Sequence, residues 1–242
     1  MSNCDACLVS GLSICSVLTT DERTELGSFG HIKTVKRGQT LQWEGEDSLF
    51  VANVIDGLLK LSTATSDGRE QIVGLAFPSD FLGQPFHSRN GYTATALVDS
   101  RVCLFTRTAF DAFTLEHPEL GHDLLLRTMD ELKSARHWLL LLGRKSAGEK
   151  ISSFLLELSR RMARVVENQN DNQILCPGAE PAPLDRITLP VDRQQIADIL
   201  GLTIETVSRQ FSHLRAIGVI ELPDRRTVEI LDRAWLQENA GN

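Results

Sequence analysis

The period of apolar and polar positions changes twice along this chain. Between His31 and Arg107 apolar residues come in short runs bounded by turn residues, which predicts β-strands. The runs are His31–Val35, Thr40–Trp43, Leu49–Ile55, Leu58–Thr65, Glu70–Phe77, Tyr92–Val98 and Arg101–Thr106. Asp56-Gly57 and Asp67-Gly68 read as hairpin turns, and Gly38 and Gly45 mark others. This spacing predicts a double-sheet antiparallel β-roll. Ahead of it, Thr19-Thr20-Asp21-Glu22 matches a capping box that opens a helix to about Phe29. After it the period lengthens. A short helix near Ala109–Leu115 leads to Pro118, a residue suited to the first turn of a helix, and the next helix runs to about Leu142. At 1.5 Å per residue it spans ~37 Å. Leu125, Leu132 and Leu139 recur every seven residues on it, with Met129, Ala135 and Leu142 on the same stripe. Such a stripe is a candidate dimerisation seam, while Leu124 and Leu140 are expected to pack on the β-roll. Gly143 and Arg144-Lys145-Ser146 predict a hinge, followed by a helix over Ala147–Val166. Residues 168–190 are polar and proline-rich, a loop with at most one short strand.

The stretch from Asp192 to Leu214 carries the densest local signals. Asp192 can cap a helix containing Ile196, Ala197 and Leu200; Gly201 stops it, and Thr203 can cap a second helix. On that second helix Val207, Phe211 and Leu214 share one side, and Glu205, Ser208, Arg209 and Ser212 share the other. An arginine can fork onto guanine, a carboxylate can accept from the cytosine amino group, and serine is adaptable. The pattern is that of a helix-turn-helix whose second helix enters a major groove. A bare helical hairpin with a solvated polar face explains the period but not the strand pair that follows. Val219–Leu222 and Thr227–Ile230 flank Pro223-Asp224-Arg225-Arg226, a wing whose two arginines suit phosphate.

Composition changes this picture in one respect. The chain has 242 residues, 42% hydrophobic, enough for two modest domains, and a net charge of -7. Residues 1–143 hold 12 basic against 18 acidic side chains, and residues 144–242 hold 13 against 14. Attraction to DNA must therefore come from a local patch, for which Arg193, Arg209, Arg215, Arg225 and Arg226 are the candidates. No apolar run reaches the roughly 20 residues of a membrane span, and no signal segment precedes the first helix, so a cytoplasmic location is expected.

Five cysteines do not suggest a secreted disulfide framework. Cys4, Cys7 and Cys15 crowd one short segment, and three such thiolates could wrap a zinc ion or an iron–sulfur cluster. Either centre needs a fourth ligand. Strand alternation puts Cys103 on the face opposite Val102 and Leu104, where it could meet the N-terminal loop; a plain buried cysteine fits its position equally well. Cys176 has no ligand near it in sequence. The six histidines form no paired metal spacing, and no Walker loop, dinucleotide fingerprint or nucleophile elbow is present, so an enzyme is not expected.

Taken together, the β-roll, the long helix and the winged helix-turn-helix resemble the CRP/FNR superfamily of bacterial transcription regulators, an α+β architecture. Cys4, Cys7, Cys15 and Cys103 look like the cluster ligands of its oxygen-responsive FNR branch, and Ile204 to Arg209 looks like that branch's recognition helix. The stretch from Leu139 to Ala147 also resembles the family's helix-to-hinge sequence. The resemblance implies a [4Fe-4S] cluster, a homodimer, a palindromic TTGAT-N4-ATCAA DNA site, RNA polymerase as partner, and control of anaerobic or microaerobic genes. It divides the chain into a cysteine-rich loop (1–20), a β-roll sensor (21–115), a dimerisation helix and hinge (116–146) and a DNA-binding domain (147–242). The gap before Cys15 is longer than in the best-known version. Cyclic-nucleotide-binding relatives carry an arginine followed by a small hydroxyl residue in a phosphate cassette. The segment from Phe81 to Tyr92 lacks that pair, since Arg89 precedes Asn90. A cyclic nucleotide or other small ligand is thus the alternative effector, and a zinc-binding interaction module the alternative role for the thiols.

Overall fold

The structure, a computed structural model, describes residues 7–169 and 182–241. Cys4 and Cys176 lie outside the described residues, as does most of the proline-rich stretch. The chain divides into two compact units, Met1–Ala135 and Arg136–Asn242.

The first unit opens with a 3-10 turn, Ile14–Val17, and helix α1, Thr20–Ser28. The expected capping box is present: the Glu22 carboxylate accepts from the Thr19 backbone N–H at 2.7 Å, and the Thr19 hydroxyl caps Glu22 N. Eight strands follow: β1 Gly30–Val35, β2 Thr40–Gln42, β3 Phe50–Asp56, β4 Leu59–Ala64, β5 Glu70–Ala76, β6 Phe81–Leu82, β7 Thr93–Ala96 and β8 Ser100–Thr106. They form two antiparallel four-stranded sheets, in the orders β1-β8-β3-β6 and β2-β7-β4-β5. A two-residue strand shows no alternation, which is why β6 was not expected. Helix α2, Arg107–Glu116, and helix α3, Pro118–Arg144, come next.

Asp67-Gly68 closes the β4–β5 hairpin as expected, but Asp56-Gly57 closes none. It carries the chain from one sheet to the other, because β3 pairs with β6 and β8 while β4 pairs with β5 and β7. Gly57 sits there at φ +98°, and a Cβ would stand 2.7 Å from the Ser100 Cα, so only glycine fits this corner.

Strand alternation splits the apolar residues between two cores. Val35, Val54, Leu59, Leu82, Val102 and Leu104 fill the space between the sheets. Phe105 and Val51 point the other way, into a second core with Ile14, Leu18, Leu26, Phe110, Phe113 and Leu120. Cys15, Cys103 and Leu124 pack against that second core. Each fully buried large apolar side chain contributes about 1.5–3 kcal/mol, so this outer cluster holds the N-terminal segment firmly on the sheet.

The second unit contains helix α4, Ala147–Gln169, strand β9, Arg186–Thr188, helices α5, Arg193–Leu200, and α6, Ile204–Ala216, strands β10, Ile220–Glu221, and β11, Thr227–Ile230, and helix α7, Arg233–Ala240. The hinge is shorter than expected. Gly143 remains helical and the break falls at Lys145-Ser146, where Ser146 N donates to the Glu149 carboxylate at 2.7 Å and Ser146 Oγ caps Glu149 N. One helical glycine costs about 1 kcal/mol, too little to end a helix this long. The three short strands form one antiparallel sheet in the order β10-β11-β9. The segment that became α7 carried too short a periodic pattern to be singled out in the sequence.

Candidate cofactor pocket and DNA-reading face

Cys7, Cys15 and Cys103 line a single pocket with Val9, Ser13, Arg23, Gly30, Ile32, Asn53 and Phe105. Two of these thiols come from the N-terminal segment and one from the middle of β8. The register explains how they meet. Cys103 lies opposite Ile32 on β1 and opposite Asn53 on β3, on the outer face of the sheet. The N-terminal segment crosses that face because Ile14 and Leu18 are buried against it.

Several polar contacts fix the loop that carries the thiols. Asn53 Nδ2 donates to Cys15 Sγ at 3.6 Å. Arg23 Nε, on α1, donates to the carbonyls of Cys15 and Leu18, each at 2.9 Å. Arg127 Nη2, on α3, donates to the Leu12 carbonyl at 3.0 Å, and its Nε binds Asp123. The loop between Cys7 and Cys15 is thereby tied to the long helix by a charged side chain. None of Arg23, Asn53 and Arg127 was singled out in the sequence. A usable signal existed only for Asn53, a lone amide in the apolar run Phe50–Ile55.

These residues suit a thiolate-ligated centre. Soft sulfur donors converge on one lined space, and Asn53, 2% exposed, has no hydrogen-bond partner for its Oδ1 among the described residues. Among the described residues, the three thiols do not form a group whose ligand atoms all lie within 4.8 Å of one another; the group that does is Glu22, His117 and Glu119.

In the second unit the helix-turn-helix forms as its sequence requires. Asp192 Oδ1 accepts from Gln195 N at 2.9 Å, and the Gln195 side chain returns the bond to Asp192 N. Gly201 ends α5 at φ +61°, and Thr203 Oγ1 accepts from Thr206 N. Val207, Phe211 and Leu214 are at most 2% exposed, and Glu205, Ser208, Arg209 and Ser212 all face solvent. Hydrogen bonds from its own backbone N–H and from Thr203 hold the Glu205 carboxyl below its usual range, so it presents an acceptor. Arg215, Arg225 and Arg226 are exposed as well. In the wing, Asp224 accepts from Arg226 N and Thr227 N, each at 2.7 Å, which fixes the turn and leaves both arginine side chains outward.

Arg193 is placed differently from the expected phosphate patch. Its guanidinium lies over the Phe211 ring, 3.3 Å from the centroid, and its Nη1 is buried without a hydrogen-bond partner among the described residues. Desolvation pulls its pKa down to about 10. As the first residue of α5 it folds back over α6 and packs the two helices together.

Along α3 the expected stripe is open. Leu125, Met129, Leu132 and Leu139 are 57, 60, 45 and 72% exposed; Ala135 is exposed and Leu142 half-buried. Leu124 packs on the outer core as expected, whereas Leu140 is exposed. No helix among the described residues is long and apolar enough to cross a membrane.

A β-roll of this order followed by a winged helix-turn-helix defines a DNA-binding regulator. Residues 32–117 match the cyclic nucleotide-binding domain model, and residues 149–238 match the Crp-like helix-turn-helix domain model. The chain is 39% identical to the transcriptional activator protein FnrL of Cereibacter sphaeroides, over all of this chain and 93% of that protein. It is 36% identical to the nitrogen fixation regulation protein FixK of Bradyrhizobium diazoefficiens, over 90% of this chain and 86% of the relative. The solved structure of FixK2 from Bradyrhizobium japonicum superposes with a TM-score of 0.73 at 29% identity, covering 86% of this chain and 96% of that one. The chain therefore belongs to the CRP/FNR family of transcription regulators and, like its relatives, is a DNA-binding protein and not an enzyme.

Proposed function

We propose that this protein is an oxygen-responsive transcription activator of the FNR type. One observation carries the reading: Cys7 and Cys15 meet Cys103, far away in sequence, around one pocket. Cys4, three positions before Cys7, is the fourth ligand. Bound there, a [4Fe-4S] cluster supplies a centre that oxygen dismantles. The protein's own groups do the rest. Asn53 orients Cys15 and polarises its sulfur, as hydrogen-bond donors to metal-bound ligands do. Arg23 and Arg127 relay the order of the loop to α1 and α3.

The α3 stripe of Leu125, Met129, Leu132, Ala135, Leu139 and Leu142 is the dimer seam. Asp130 and Glu131, both exposed on α3, oppose association where two copies approach. Loop ordering then tips a balanced equilibrium; about 5.5 kcal/mol moves a population from one hundredth to ninety-nine hundredths, and less suffices for a useful switch. Arg127→Ala should leave the iron content unchanged but reduce the gain in dimer on cluster loading. Sedimentation of anaerobic and air-exposed protein at micromolar concentration checks this, and an undiminished gain would place the coupling elsewhere.

In the dimer, Glu205, Ser208, Arg209 and Ser212 read each half of a TTGAT-N4-ATCAA palindrome, and Arg225 and Arg226 hold phosphate. RNA polymerase is the further partner, in the cytoplasm, at genes of anaerobic or microaerobic metabolism. A cyclic nucleotide is the weaker reading. The Gly83 N–H already donates to the Tyr92 hydroxyl at 2.9 Å, and Arg89 Nη1 is bound to the Gly45 carbonyl at 3.0 Å. Both groups that a phosphate in this segment would seek are engaged by the protein itself. Titration of the palindrome with anaerobic protein, repeated after exposure to air, tests the function. Binding should weaken at least tenfold in air; equal affinity in both states, or dependence on an added cyclic nucleotide, would overturn it.

A further inference from the structure

Glu22 on α1, His117 between α2 and α3, and Glu119 in the first turn of α3 bring three ligand atoms within 4.8 Å of one another. His117 Nδ1 stands 3.6 Å from Glu22 Oε1 and 3.4 Å from Glu119 Oε1. We propose that these three residues bind one divalent cation of the zinc class.

The separations carry the proposal. A charge-assisted hydrogen bond would close to about 2.7–2.9 Å, whereas tetrahedral ligands at ~2.0–2.2 Å from a zinc ion stand ~3.3–3.6 Å apart. Both separations, 3.6 and 3.4 Å, are of the second size, which is also that of a loose histidine–carboxylate contact. The ligands are also held in place before any ion arrives. Glu22 Oε2 is occupied by Thr19, at 2.7 Å from its backbone N and 2.8 Å from its hydroxyl, which leaves Oε1 facing the imidazole. The His117 ring is stacked on Phe113, with centroids 3.9 Å apart. Two carboxylates and a neutral imidazole balance a divalent charge, and water completes the coordination. An imidazole nitrogen in the set favours zinc, nickel or cobalt over magnesium and calcium, which prefer oxygen alone.

The location gives the ion something to do. Arg23, next to Glu22, holds the carbonyls of Cys15 and Leu18, so a cation here pins the thiol-bearing segment to the start of α3. The site is nonetheless independent of what the thiols bind. Glu22 lies too far in sequence from His117 and Glu119 for ligand spacing to have shown the three together.

Calorimetric titration of zinc into the full chain tests it, with all five cysteines replaced by serine so that thiolates do not compete. One zinc per chain should bind, unaffected by excess magnesium. His117→Ala and Glu119→Gln should each weaken binding at least tenfold, while His122→Ala, on the exposed face of the same helix, should not. Glu119 is exposed, so its substitution leaves the fold intact and its result stands even if His117→Ala misfolds. Absence of binding, undiminished binding in Glu119→Gln, or an equal loss in His122→Ala would overturn the proposal.

Discussion

Replacing Cys103 by serine is expected to strip anaerobically purified protein of its iron and colour while leaving its fold nearly unchanged. The backbone of β8 pairs with β1 on one side and β3 on the other, and neither ladder depends on the Cys103 side chain. The residue is half-buried at the edge of the outer core, so exchange of sulfur for a hydroxyl should cost no more than about 1 kcal/mol of stability. Its effect on a cluster is of another order. A [4Fe-4S] centre needs four thiolates, and a serine hydroxyl is a poor ligand for soft iron–sulfide. Cys4→Ser, Cys7→Ser and Cys15→Ser should behave alike, and Cys176→Ser should retain full iron. Iron analysis together with a urea melt separates ligand loss from unfolding. A Cys103→Ser protein as rich in iron as the parent would remove β8 from the ligand set.

Arg209→Ala should cost ~1–3 kcal/mol per half-site and relax the preference at one base pair. Arg209 stands on the open face of α6 with Glu205 and Ser208, one to one and a half turns from the capped N-terminus that would enter the groove. On the proposed reading Arg209 would fork onto guanine, and Glu205, whose carboxyl is held below its usual range by its own N–H and by Thr203, would accept from a cytosine amino group. The two effects are separable because wing arginines carry no base information. Arg225→Ala or Arg226→Ala should weaken every sequence alike and lower the salt dependence by about one ion per contact. Binding to a panel of single-base variants of the palindrome, at two salt concentrations, reads both. A wing variant that altered base preference, or an Arg209→Ala protein weakened uniformly on all sequences, would reverse the two assignments.

What the sequence made legible were features written in local chemistry. The capping residues Thr19, Asp192 and Thr203, the positive φ of Gly201 and the alternation around Cys103 act over a few positions, and each reappears in the structure. Features that depend on which strands become neighbours were not legible. Asp56-Gly57 has the composition of a hairpin turn, yet it crosses between sheets, and there Leu58 N donates to the Ser100 hydroxyl at 3.1 Å. Arg193 looked like one more cation for phosphate, and only the packing of α5 on α6 shows it lying on Phe211. The polar residues around the thiols were hidden for the same reason. Asn53, Arg23 and Arg127 reach the loop from three separate elements, and no spacing along the chain records that meeting.

The most direct test of the thiol pocket is a metal and acid-labile sulfide analysis of the full chain purified without oxygen. About four irons and four sulfides per chain, lost together in air, are expected of a [4Fe-4S] centre on Cys4, Cys7, Cys15 and Cys103. One zinc held by those cysteines, with no labile sulfide and no change in air, would contradict it.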